Sequence, residues 1–115
     1  MIKKGYKVLN VDLFSIIRSF PNEGGVQYSQ VHSAIPQDRY GPLTVFKTLE
    51  GAVHFKNNVA GEGRIFKCYY IPSLQDTVWS PSLTVSLENL EELNFSCVIP
   101  GSVDLADEVI LGEEL

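Results

Sequence analysis

Three arginines and two large aromatics are the residues in this chain best suited to holding a small ligand. Arg18 lies in an otherwise apolar run, IIRSF, where a guanidinium must either reach solvent from an open strand face or meet an anion. Arg39-Tyr40-Gly41 sits in a polar loop and sets a planar cation beside an aromatic ring, a pairing suited to a phosphate and a base; loops often present such pairs. Arg64, next to GEG at the start of an extended run, either borders a pocket at a strand end or makes a salt bridge to Glu62 or to the acidic tail. Trp79 is the single tryptophan, and it serves either as a stacking platform or as a lid over the core.

Catalytic groups are harder to assemble. His32 lies in a polar alternating stretch and His54 within a helical one, and neither is near a nucleophile motif. Ser15, Ser19 and Ser29 lack the G-x-S-x-G context, and no glycine-rich phosphate loop with a lysine occurs. Glu91-Glu92, Asp107-Glu108 and Glu113-Glu114 read as solvated faces or tail rather than as a catalytic dyad. Cys68 and Cys97 have no C-x-x-C partners, so a zinc site would need both cysteines and both histidines to converge from distant positions; buried free thiols are the expectation, with no metal and no cofactor.

The elements that must position these residues follow from patterning. Arg64 to Ile71, RIFKCYYI, is aromatic and β-branched between glycines and a proline, which predicts a central strand with apolar bulk on both faces. Gly5 to Val11 reads as a first strand, and Phe14 to Phe20 as either a strand or a short helix capped by Asp12. PNEGG is a turn, Val26 to Ile35 an extended run, and Leu43 to Phe46 a short strand. Thr48 caps a helix to Asn57 with Leu49, Ala52, Val53 and Lys56 along its stripe and Phe55 flanking it. Residues 43–71 are therefore a strand, helix, strand unit, for which a right-handed crossover between parallel strands is the common solution. PSLQDTVWSPSL reads as an irregular connection with room for one small strand at Thr77 to Trp79. Ser86 to Leu93 forms a short amphipathic helix, Phe95 to Val98 an apolar run, and Val103 to Leu111 a final strand. The Ala-Asp-Glu insert in that strand fits a bulge or a bend.

The expected fold is a single α+β domain over residues 1–115, a mixed, mainly antiparallel sheet with one or two short helices packed on it. Apolar residues at 44% and charged residues at 20% are those of a globular chain, and the longest apolar run is too short to span a bilayer. Cytoplasmic location is the default, since MIKKGYK leads directly into strand without a signal-like stretch. A net charge of −5 argues against a nucleic-acid partner. Six of the nine basic residues precede residue 50, while Glu88 to Leu115 carries eight acids and no base.

The order GYKVL, LTVF with LEGAVHF, RIFKCYYIPS and IPGSVDLADEVIL resembles that of small bacterial and phage domains in which a strand, a short helix, a Cys-bearing strand and a Pro-Gly-strand ending recur. It is similar in layout to the phage Thoeris anti-defence family, which sequesters cyclic ADP-ribose signals. That resemblance implies an oligomeric nucleotide sponge without catalysis, but it places no ligand-contacting residue. Three functions are therefore carried forward: a non-catalytic binding module for a small nucleotide-like ligand through Arg18, Arg39, Tyr40, Arg64 and Trp79; a structural or interaction subunit of a homo-oligomer; and a small ADP-ribosyl-type transferase.

Overall fold

A computed structural model describes residues 1–16, 20–94 and 96–115. Arg18 with the rest of residues 17–19, the middle of the Phe14 to Phe20 alternative, and Phe95 fall outside these residues. The described strands are β1 (Lys3–Leu9), β2 (Leu43–Phe46), β3 (Arg64–Pro72), β4 (Thr77–Ser80), β5 (Leu83–Ser86) and β6 (Val103–Glu114), with α1 (Leu49–Val59), α2 (Leu87–Leu93) and one 3₁₀ turn at Pro21–Glu23. The fold is α+β, as the patterning predicts. Strands β1, β2, β6 and β3 close in that order into a barrel, and β4 and β5 form a separate hairpin.

Every pairing between these strands is antiparallel. The strand, helix, strand unit exists, but β2 and β3 are not neighbours in the hydrogen-bonded order. They run the same way because each is antiparallel to β6, which lies between them. The small strand allowed for at Thr77 to Trp79 is β4, and the connection around it is a hairpin rather than irregular, in which Trp79 faces Thr84 and Val78 faces Val85 of β5. The extended run at 26–35 forms only isolated bridges, among them Ala34 to Val109.

Closure explains the two-faced bulk of β3. Phe66, Cys68 and Tyr70 point into the barrel with Leu9, Leu43, Val45, Val109 and Leu111, so that face needs no helix. On the other face only Ile65 joins the second cluster, where Val8, Phe46, Ala52, Phe55, Leu90 and Val103 pack outside the barrel wall. Tyr69 and Ile71 remain 43% and 39% exposed.

Helix α1 begins where the sequence places it, with Thr48 Oγ1 accepting from Gly51 N at 3.0 Å. Its buried stripe is rotated from the predicted one: Gly51, Ala52 and Phe55 are buried, whereas Leu49 and Val53 are exposed. Two contacts set that rotation. Phe55 stacks on Phe20 at 5.1 Å between ring centroids and meets Phe46 at the same distance. Gly51 lies so close to Ser102 that a Cβ there would come within 2.7 Å of the serine Cβ.

Strand β6 serves both clusters by changing parity. Pro72 faces Ala106 while Ile71 faces Glu108, so Asp107 is an extra residue, and a second irregularity lies between the Cys68–Leu111 and Phe66–Glu114 pairs. Val103 and Leu105 thus face the helices, and Val109 and Leu111 face the barrel interior. The Ala-Asp-Glu insert is a β-bulge, one of the two forms the sequence allows.

Candidate functional site

The expected site residues fall into separate places. Arg64 is committed to the C-terminal end of β6: its Nε and Nη2 donate to Glu114 at 2.9 and 2.7 Å, and Nη1 donates to the Val11 carbonyl at 3.1 Å. The paired guanidinium holds the Glu114 carboxyl below its usual range through hydrogen bonding and then charge, and Arg64 is held correspondingly higher. Trp79 meets the turn that follows Pro36 at Gly41, the residue after Tyr40. Gly41 and Trp79 exchange backbone hydrogen bonds of 3.1 and 2.7 Å. The Tyr40 ring lies against Gly24, and the Trp79 ring against Gly41, which adopts a φ of +146° and precedes a cis peptide bond to Pro42. Arg39 is exposed on the same turn with a φ of 72°. Arg64 is thus held on β6 and not at the turn that meets Trp79.

Patterning gives no sign of a buried charge network on β1. Lys7 and Glu23 are 3% and 0% exposed. Lys7 Nζ donates to Glu23 Oε1 and Oε2 at 2.9 and 2.7 Å and to the Thr44 carbonyl at 2.6 Å. Thr44 N donates to Glu23 Oε2 at 3.1 Å, and the Thr44 hydroxyl donates to the same oxygen. Tyr28 completes the set. Its hydroxyl donates to Glu23 Oε1 at 2.5 Å, and Lys7 Nζ stands 4.7 Å from its ring centroid. Burial foremost, then the Glu23 charge, pushes the Tyr28 hydroxyl well above its ordinary pKa.

The reason for this network lies in the sheet. β1 and β2 share a single registered pair, Tyr6 with Phe46, so the barrel wall is split beyond it. Thr44 would otherwise present an unpaired N–H and C=O to the gap, at a cost comparable to two lost hydrogen bonds. Glu23 accepts from that N–H and Lys7 donates to that C=O. The ion pair takes the place of missing ladder bonds, and no exposed atom of it is available to a ligand.

The outer face between β1 and β3 is more open. Lys4 stands opposite Tyr69 and Tyr6 opposite Lys67, with Gly5 and Cys68 paired between them. These side chains, with Lys47 just past β2, border a pocket of about 310 Å³. Lys4 and Lys47 are exposed, and the half-exposed Lys67 stands 3.9 Å from Glu113. Two opposed tyrosines at a cross-strand diagonal, on the order of 7–8 Å apart at the Cβ atoms, can bracket a flat ring. The three ammonium groups supply the charge for an anion. Gly5 leaves room on the inner side of this floor, where a Cβ would sit 2.8 Å from the Phe46 carbonyl oxygen and 3.0 Å from the Tyr70 ring.

Cys68 turns its thiol inward from this floor, and burial pushes it up to about 12, which keeps it protonated and unreactive at neutral pH. Cys68 and Cys97 are both buried and are not joined in a disulfide. Among the described residues no group of three or more His, Cys, Asp or Glu side chains is placed to hold a metal ion, and no helix is long and apolar enough to cross a membrane. The lysines of the pocket had a faint signal in the sequence: Lys67 and Tyr69 share a face of a predicted strand and Lys4 stands just ahead of another, but only the β1–β3 register brings them together. No family model, no curated protein and no solved structure matches this chain.

Proposed function

We propose that the protein is a non-catalytic binding module for a small nucleotide-like ligand, taken up in the pocket between β1 and β3. The observation that carries this reading is the convergence of Lys4, Lys47 and Lys67 with Tyr6 and Tyr69 on a face of an otherwise acidic chain. The lysines meet the phosphates as point charges and the tyrosines hold the base. What supports the absence of a chemical step is that the thiol beside the pocket is buried and kept protonated. The pocket has no histidine or paired carboxylates on its rim.

A ligand that binds only the folded state raises the unfolding midpoint by mass action, by about 2.7 kcal/mol of stability at a hundred times its dissociation constant. A thermal-shift panel of mono-, di- and cyclic nucleotides at millimolar concentration should therefore contain at least one that stabilises the protein. The Lys4→Gln/Lys47→Gln/Lys67→Gln variant should fold normally and lose that shift. A panel without any shift, or a shift that survives in the triple variant, would rule the reading out.

A further inference from the structure

The second irregularity of β6 lies against the two pocket residues of β3. Phe66 pairs with Glu114 and Cys68 with Leu111, so Lys67 alone faces both Gly112 and Glu113, the count of a β-bulge. Gly112 leaves the space beside it to the Tyr69 ring: a Cβ there would lie 3.3 Å from Cε2 of Tyr69 and 3.7 Å from Cβ of Lys67. Glu113 would point into the barrel if alternation ran on unbroken from the inward Leu111. The bulge re-aims it, and its carboxylate stands 3.9 Å from Lys67 Nζ. The next residues fix it there, since Arg64 grips Glu114 and Leu115 N donates to the Ile65 carbonyl.

The three lysines of the pocket are therefore not equivalent. Among the described residues Lys4 and Lys47 form no ion pair, so their charge acts in full on an anion. At Lys67 the neighbouring carboxylate opposes a phosphate and instead sets an acceptor beside a donor. At 3.9 Å the two are too far apart to share a hydrogen bond, and with side chains 52% and 75% exposed both can reach a third group. A base lying on the Tyr69 ring has its edge next to them, because that ring is seated on Gly112.

We propose that the pocket selects guanine nucleotides and that Glu113 is the residue that determines the base. Lys4 and Lys47 hold the phosphates, Lys67 donates to O6, and the Glu113 carboxylate accepts from N1–H and the N2 amino group together. Hypoxanthine offers that carboxylate one donor, N1–H. Adenine also offers one, its N6 amino group, and gives the ammonium a ring nitrogen in place of a carbonyl oxygen. The inference rests on the proposed function and adds the identity of the base to it.

Isothermal titration calorimetry of the whole chain with guanosine, inosine and adenosine diphosphates tests it. Guanosine diphosphate should bind tighter than adenosine diphosphate by about fivefold or more, the low end for a bidentate base contact because the pair is solvated. The inosine compound should fall between them. In Glu113→Ala the three dissociation constants should become equal, whatever their absolute value. Nucleotides that bind the wild type without preference for guanine overturn the inference and leave the binding reading standing. A preference that survives in Glu113→Ala overturns the role of Glu113. If none of the three binds and a wider nucleotide panel also fails, the binding reading itself falls.

Discussion

Removing one half of the Lys7–Glu23 pair leaves the other ion buried with nothing to neutralise it. Lys7→Met or Glu23→Leu alone should each lower stability by about 3–5 kcal/mol, read from the midpoint of urea unfolding at unchanged slope. Buried pairs replaced on both sides by apolar groups are often tolerated, and this one should not be. Lys7→Met/Glu23→Leu strands the Thr44 N–H, the Thr44 C=O and the Tyr28 hydroxyl, at about 1–3 kcal/mol for each unsatisfied group. A double variant as stable as the wild type would show that the split seam needs no side-chain bonds. None of this was legible in the sequence. Lys7 sits in GYKVL at an inward position of the strand between Gly5 and Leu9, but lysines on strands usually reach solvent. Its partner lies in PNEGG, which reads as a turn. The pairing exists only because β1 and β2 diverge, a fact of tertiary register. Cys68, by contrast, was readable as a buried thiol from its place among aromatic residues.

The elements themselves were more legible than their faces. Thr48 and Ser86 cap the two helices as their types predict, Ser86 Oγ accepting from Asn89 N at 3.2 Å. RIFKCYYI is a strand with a partner on each side. The periodicity of α1 was misread because Leu49 and Val53 outrank Gly51 in hydrophobicity, whereas the approach of Ser102 selects the residue without a side chain. That contact reverses a usual expectation. Gly→Ala inside a helix ordinarily gains about 1 kcal/mol; Gly51→Ala should instead destabilise, because its Cβ would meet Ser102 Cβ at 2.7 Å. Thermal unfolding of Gly51→Ala alone and with Ser102→Gly separates the two effects, and the double variant should recover what the single one loses. Recovery that fails to appear would assign the cost to something other than this contact. Parity in β6 was legible only as an alternative, since counting residues cannot distinguish a bulge from a bend without the strand it pairs with.

At the scale of the whole molecule, antiparallel pairing was expected but closure was not, because a closed barrel and an open sheet share the same alternation in each strand. Closure depends on the far end of β6, where Arg64 grips Glu114 and Leu115 N donates to the Ile65 carbonyl at 2.9 Å. The Glu114 carboxyl titrates lower in the folded protein than in the unfolded chain. Its contribution is therefore present in full above the ordinary carboxylate pKa of about 4.3 and is lost as pH falls through the lower folded value. Glu114→Gln should melt slightly below the wild type at neutral pH, by the small margin typical of a solvated pair, and the two melting curves should converge in strong acid. A gap that persists or widens on acidification would mean that the contact does not act through the charge of Glu114.

The position of β6 in the chain also bears on how the protein is made. β1 and β3 can pair as soon as residue 72 has been synthesised, but β2 and β3 each keep an open edge until residues 103–114 arrive to fill the place between them. For the interval in which the last forty or so residues are still being added, a nascent chain presents two unsatisfied strand edges rich in valine, phenylalanine and tyrosine. Such edges invite pairing with a neighbouring nascent chain. Translation slowed between β3 and β6 should therefore lower the soluble yield of this protein, whereas a pause placed before β3 should leave it unaffected.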